Sequence, residues 1–273
     1  MEENIEENYK TLIDDNFDEA IKNKEFEIYY QIVVENGTRN RVGVESLVRW
    51  NNPMLEGVTA QHVISYAESS GNICRLGKYI IEHVFSDMNK IKEHVKQDFY
   101  ISINLSPKQL LDPTLYEGII MLTEKYSINP KLVVFEIIES TELMIDSSIV
   151  DSINRLIGLG YKFAVDDFGS GYSSIELLTQ IDFEIIKIDS TMVKNAYTST
   201  KKKAILEEFI KAFKNLKYRI VIEGIETKED FDYINTLGIG FLQGYYICEP
   251  LNFTDLIDEA QKKEFKISQL TFK

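Results

Sequence analysis

Two aspartates stand side by side at Asp166–Asp167, and four more oxygen-bearing side chains, Glu45, Asn104, Glu136 and Glu223, recur at wide intervals around them. This set offers oxygen and neither sulfur nor imidazole. Hard divalent cations take such ligands, so Mg²⁺ or Mn²⁺ is expected and a thiolate zinc site is not. Consecutive carboxylates at a strand end, where regular alternation breaks down, can both turn to one side. One can then bridge two cations while its neighbour binds only the second. Two cations about 3.5–4 Å apart clamp the attacking and departing oxygens of an in-line phosphoryl displacement. Lys187 interrupts the apolar run FEIIKID, so its side chain is expected to point inward among acids. Carboxylates raise its proton affinity and metals lower it, which leaves its protonation open at this point. Its expected work is to orient the nucleophilic water, with a share in removing the proton, most of the activation coming from the cations.

Each feature has a blander counterpart. A lone acid at a strand end is usually a helix cap or a solvated loop residue. Asp-Asp-Phe-Gly contains a tripeptide also found in kinases, but no kinase glycine loop accompanies it. Lys187 alone could be a snorkelling residue, and Trp50 reads as packing. The argument rests on the combination.

These residues need a scaffold that brings distant segments together. The chain has 273 residues, and a (β/α) barrel takes roughly 250. Helical apolar spacing at Leu12, Ile13, Phe17 and Ile21 predicts a lead-in helix over roughly residues 6 to 24. FEIYYQIVVENGTRNRVGVESLVRW then reads as two strands around a turn at Asn36–Gly37. After it, β-branched runs at FYISINLS, KLVVFEII, YKFAVDDF, FEIIKID, RIVIEGI and IGFLQGYYI alternate with helical stretches such as 76–94, 143–157, 200–215 and 227–236. That rhythm, with the hairpin, makes eight strands and predicts an α/β, TIM-like (β/α) barrel with an antiparallel first strand. Gln31 and Glu45 lie within the first two strands. Asn104, Glu136, Asp166, Asp167, Lys187, Glu223 and Gln243 lie at or near the C-terminal ends of later ones, where barrels carry their active sites. The expected division is an extension over residues 1–16, the barrel over 17–260 and a tail over 261–273.

A formal net charge of −14 argues against binding a DNA or RNA duplex or an acidic membrane unaided, and a phosphate substrate would need bound cations. No apolar run approaches the roughly 20 residues that span a bilayer, and the acidic start MEENIEENYK is unlike a secretory signal. The chain is therefore expected to be cytoplasmic, without membrane insertion. Cys74 and Cys248 read as reduced, packed thiols, and His62, His83 and His94 fall in predicted helices away from the strand ends.

The motifs YYQIV, GVESLVRW, INLSPKQ, FEIIES, VDDFGSGYSS, IKID, IEGIET and LQGYY occur in the order that characterises the EAL phosphodiesterases, and the chain resembles that family over about residues 17 to 253. The resemblance implies that Glu45, Asn104, Glu136, Asp166, Asp167 and Glu223 hold two Mg²⁺ or Mn²⁺ ions, with Glu45, Glu223 and Lys187 acting in catalysis. It implies that Gln31, Leu47, Arg49, Asp189, Gln243 and Tyr245 serve the substrate, Arg49 through a phosphate. Glu139 would anchor the loop Gly169–Ser174, and Glu226 would support the site from outside the metal ligands. The substrate it implies is cyclic di-GMP, opened to linear pGpG, and the partner it implies is a second copy in a homodimer. The loop Gly169–Ser174 has two readings, a mobile loop linked to such an interface or a plain connection capped by serine. Ser46, Ile32, Ile138, Ile222 and Gly240 stand where the family usually has alanine, proline, threonine, alanine and aspartate, and none of them removes an expected ligand. Two competing functions are a receptor that binds cyclic di-GMP without cleaving it and a magnesium-dependent barrel that enolises an acid.

Overall fold

The alternation of strand and helix closes into a ring. The computed structural model describes residues 2–36, 41–52, 55, 57–95, 98–138, 147–170 and 175–261. Its strands are β1 (Phe26–Glu35), β2 (Arg41–Trp50), β3 (Asp98–Asn104), β4 (Val133–Ile138), β5 (Lys162–Phe168), β6 (Ile185–Ile188), β7 (Arg219–Ile222) and β8 (Phe241–Leu242). They form a closed barrel in chain order. β1 runs antiparallel to β2, from Phe26↔Trp50 to Val34↔Val42, and antiparallel to β8, whereas β2 through β8 pair in parallel. The expected barrel with an inverted first strand is therefore the one observed. Gly37 of the expected turn lies outside the described residues, as do residues 262–273 of the expected tail.

The helices are α1 (Glu2–Asn23), α2 (Ala60–Ser70), α3 (Ile73–His94), α4 (Pro107–Leu110), α5 (Leu115–Tyr126), α6 (Ser147–Gly158), α7 (Ile175–Gln180), α8 (Ser190–Val193), α9 (Thr200–Asn215), α10 (Lys228–Thr236) and α11 (Phe253–Gln261). α1 is continuous across positions 16 and 17 and buries Ile13, Phe17 and Ala20. The Phe17 ring packs on Phe26 at 5.5 Å and on Tyr66 at 5.6 Å, which joins the lead-in helix to β1 and α2.

Period-two alternation builds the barrel interior in layers. Val33, Tyr100, Val134, Ala164, Ile185, Val221 and Phe241 form one buried apolar cluster. Val134, Ala164, Ile185, Val221 and Phe241 each precede by two residues a polar residue of the expected site: Glu136, Asp166, Lys187, Glu223 and Gln243. Because residues two apart on a strand face the same side, a polar layer necessarily sits one step nearer the C-terminal mouth than this apolar floor. The opposite end is closed by Arg219, whose guanidinium lies 5.7 Å from the Tyr100 ring and 5.3 Å from that of Phe241 and pairs with Glu184 at 3.0 Å.

Gly43 is the position where the floor tolerates no side chain. A Cβ there would come within 2.2 Å of Tyr100 Cζ, and the buried ring has little room to yield. Gly43→Ala is expected to cost about 2 kcal/mol through overpacking. In a Tyr100→Leu background it is expected to cost less than about half of that. Urea unfolding of the two single variants and the double variant measures both, and equal cost in the two backgrounds would contradict this account of the floor.

Candidate functional site

The irregularity in β5 sets the geometry of the acids. Val165 pairs with Ile186 and Phe168 with Ile188, so Asp166 and Asp167 together face the single residue Lys187. Such a bulge reverses the strict alternation for one residue and lets neighbouring side chains serve the same side. Asp167 takes up the extra residue with φ 54°, a left-handed conformation that aspartate adopts more readily than most residues. Gly169 follows with φ +93°, packed so closely on Met192 that a Cβ would lie 2.0 Å from its sulfur.

Lys187 is 1% exposed and stands at the centre of the mouth. Its Nζ lies 2.6 Å from Glu136 Oε2, 2.8 Å from Glu223 Oε1, 2.9 Å from Asp166 Oδ1 and 3.1 Å from Glu45 Oε2. It donates hydrogen bonds to Glu136 and Glu45. Asp166 Oδ1 lies 2.9 Å from the nitrogen in an ionic contact, and this buried oxygen has no hydrogen-bond partner. Glu45 is fixed from two further sides. Gln243 Nε2 donates to its Oε2 at 2.6 Å and Asn104 Nδ2 to its Oε1 at 3.0 Å, which leaves the Asn104 carbonyl oxygen free of that contact. Gln243 also donates to Gln31 at 3.0 Å, and Gln31 donates to the Cys248 carbonyl at 3.2 Å. On the outer side of β2 the Ser46 hydroxyl donates to the Ser102 carbonyl at 2.8 Å, so the serine next to Glu45 is absorbed by the wall.

The charges are unequal in number, and the proton affinities record it. Burial pushes Glu45 up, but the Lys187 ammonium and hydrogen bonds from Gln243, Asn104 and Lys187 outweigh it and leave this carboxyl below its ordinary range. Burial, reinforced by facing carboxylates, holds Glu136 and Glu223 well above theirs despite Lys187. Burial alone would lower Lys187, yet the surrounding Asp166, Glu136, Glu223 and Glu45 hold it as an ammonium. So held, the ammonium has its protons directed at the acids around it. Asp167 is pushed up to about 6, first by burial and then by Asp166 and Asp189.

Two groups of oxygens suit a cation by spacing. Glu45, Glu136 and Asp166 place one oxygen each within 4.8 Å of one another, as do Asp166, Asp167 and Glu223, and Asp166 belongs to both groups. The donors are hard oxygens and one of them, Asp166 Oδ1, is buried without a hydrogen-bond partner, so the residues present fit divalent cations of the Mg²⁺ or Mn²⁺ kind.

Other expected site residues lie around this centre. Leu47 and Arg49 follow Glu45 at steps of two along β2, on the same side and nearer the mouth, with the Arg49 guanidinium 5.9 Å from the Tyr29 ring. Tyr245 is 62% exposed just beyond β8. Asp189 caps α8 by accepting the Thr191 amide proton at 2.8 Å. Glu226 is exposed and pairs with Lys194 at 3.0 Å, apart from the acids. Glu139 and residues Gly171–Ser174 lie outside the described residues. Sequence reasoning passed over Ser102, whose buried Oγ has no hydrogen-bond partner, and Tyr100 of the floor. The signal was present, because Tyr100, Ser102 and Asn104 share one face of β3 by period two.

Comparison with known proteins agrees with this geometry. The EAL domain family model matches residues 14–250. A protein named probable cyclic di-GMP phosphodiesterase PdeG, from Escherichia coli (strain K12), is 34% identical over 238 residues, which cover 87% of this chain and 47% of that protein. The chain spans about half the length of the curated relatives it matches. Among solved structures, the EAL enzyme Bd1971 in its cAMP- and cyclic-di-GMP-bound form superposes with a TM-score of 0.85 at 28% identity, covering 92% of this chain and 69% of that one. The PaMucR phosphodiesterase in complex with c-di-GMP superposes with a TM-score of 0.81 at 25% identity, covering 90% of this chain and 99% of the other. Among the described residues no helix is long and apolar enough to cross a membrane.

A cation held by Asp167 must displace the proton that this carboxyl retains up to about pH 6. Cation binding is thereby coupled to proton release, and Mn²⁺ affinity is expected to fall about tenfold between about pH 7.5 and about pH 5 through Asp167 alone. Calorimetric titration at the two pH values measures the change, and Asp167→Asn is expected to flatten that part of it.

Proposed function

Because the chain belongs to the EAL domain family, we propose that it hydrolyses cyclic di-GMP at one phosphodiester bond to linear pGpG, using two Mg²⁺ or Mn²⁺ ions. The observation that carries this reading is the convergence of Glu45, Glu136, Asp166 and Glu223 on one point of the barrel mouth, with Asp166 common to two cation-sized groups. Relatives named or solved as cyclic di-GMP phosphodiesterases support the substrate.

In this reading Glu45, Glu136 and Asp166, with the Asn104 carbonyl oxygen, hold one cation, and Asp166, Asp167 and Glu223 hold the other. When bound, the cations supply charge neutralisation for a phosphate that a chain of net charge −14 would repel, together with activation of water for in-line attack on phosphorus. The residues of the chain do the rest. Glu45 remains a carboxylate because Gln243 and Asn104 donate to it. Lys187, held as an ammonium, donates a proton's hydrogen bond to the attacking water and fixes its direction. Arg49, on the side of Glu45 and nearer solvent, offers its planar guanidinium to the non-reacting phosphate. Gln31, Leu47, Asp189, Gln243 and Tyr245 surround the bases and sugars, and Asp189 also orders the turn into α8. Glu226 steadies the neighbouring connection through Lys194. The barrel over residues 17–260 is the catalytic unit, with the lead-in helix packed onto it, and it works in the cytoplasm as a homodimer.

Purified protein with Mn²⁺ or Mg²⁺ is expected to convert cyclic di-GMP to pGpG, resolved by chromatography, and EDTA is expected to stop the conversion. Glu45→Ala is expected to reduce turnover by about a thousandfold or more, in line with the several kcal/mol of transition-state stabilisation that bound cations provide. Lys187→Ala is expected to lower turnover by about a hundredfold while substrate binding is largely kept. Tight binding of cyclic di-GMP with no product over hours would replace the hydrolase by the receptor.

A further inference from the structure

Four carboxylates face the three protons of one ammonium. Among the described residues no other lysine or arginine pairs with Glu45, Glu136, Asp166, Asp167 or Glu223, so the only protein cation available to this ring is Lys187. Those acids come from β2, β4, β5 and β7, and from nothing nearer in sequence to one another than the two aspartates. Like charges brought this close inside a barrel repel, and the apolar floor beneath them gives no screening. The surroundings of Lys187 are taken up by these acids: Glu45 and Glu136 accept hydrogen bonds, Glu223 lies at 2.8 Å, and Asp166 Oδ1 lies at 2.9 Å without a hydrogen-bond partner. A lysine serving only an external water would keep a proton pointed away from the acids.

We propose that Lys187 is the structural counter-ion of the carboxylate ring, holding the acids converged before divalent cations bind, and that with those oxygens held by cations its N–H groups would be free to donate hydrogen bonds to the reacting water. The first half stands on the ion pairs alone. The second half rests on the reading of these acids as cation ligands given under Proposed function. One residue thus serves two tasks in turn, assembly and then orientation, and the cations control the change.

The test is a thermal unfolding series followed by circular dichroism. In EDTA, Lys187→Met is expected to melt about 10 °C below the wild type, because removing one member of a buried charge cluster strands the others. The double variant Lys187→Met with Glu136→Gln, which removes one stranded charge together with the lysine, is expected to recover at least about half of that loss. Where saturating Mn²⁺ raises the wild-type melting temperature, the gap between wild type and Lys187→Met is expected to shrink to about 3 °C or less. Equal melting in EDTA overturns the proposal, as does a gap that Mn²⁺ leaves undiminished or that Glu136→Gln fails to narrow. If Lys187→Met does not fold, recovery of a cooperative transition in the double variant supports the proposal and its failure to fold counts against it. A wild type that Mn²⁺ does not stabilise removes the cation reading, while the EDTA comparison still decides the counter-ion.

Discussion

A single ammonium among buried carboxylates governs this structure. Lys187 Nζ has oxygens of Glu45, Glu136, Asp166 and Glu223 within 3.1 Å, and the cluster carries more negative charge than one lysine can balance. Burial first, and then the neighbouring carboxylates, raise the proton affinities of Glu136, Glu223 and Asp167, whereas the Lys187 charge and two amide donors keep Glu45 below its ordinary range. A site built this way is short of positive charge. Divalent cations would meet that need, and on the reading given under Proposed function they would reconcile a strongly acidic chain with a phosphate substrate.

The barrel supplies what a flexible chain would not. Each acid leaves a strand pinned by hydrogen bonds on both sides, over an apolar floor of Val33, Tyr100, Val134, Ala164, Ile185, Val221 and Phe241. The floor is tightly packed, as the 2.2 Å that would separate a Cβ at Gly43 from Tyr100 illustrates. Among the described residues the pairing departs from regularity at Asp166 and Asp167, where the bulge lets two adjacent carboxylates serve the same side. Strain at Asp167 is local and small, and the parallel ladders on either side restrain it.

Much of this was legible in the residues. Alternation with a period of two marked the strands, and the return of an acid or amide near each strand end marked the mouth; Lys187 within an apolar run already implied an inward-pointing charge. What the sequence withheld follows from long-range register. That Asp166 is common to two groups depends on how β5 slips against β6. The protonation of Lys187 depends on how many carboxylates surround it, a number that no spacing along the chain discloses. Arg219, which reads as an ordinary strand residue, closes the far end of the barrel by lying over Tyr100 and Phe241 from two other strands. The expected division at residues 16 and 17 passes through an unbroken helix, because boundaries read from motifs register where recognisable residues begin and carry no information on packing.

The order of charges along the barrel axis gives the arrangement a direction. Arg219 and Glu184 close one end, an apolar layer follows, and the acids gather round Lys187 at the other. Glu184 pairs there with Arg219 at 3.0 Å and with Lys162 at 2.9 Å, and the apolar layer separates these charges from the acids. The field at the mouth is left to the acids and their one lysine. On the reading given under Proposed function, a dication would be held at that end and would offset the repulsion that a phosphodiester meets there. In that reading the placement of charge along the barrel axis favours cations before substrate.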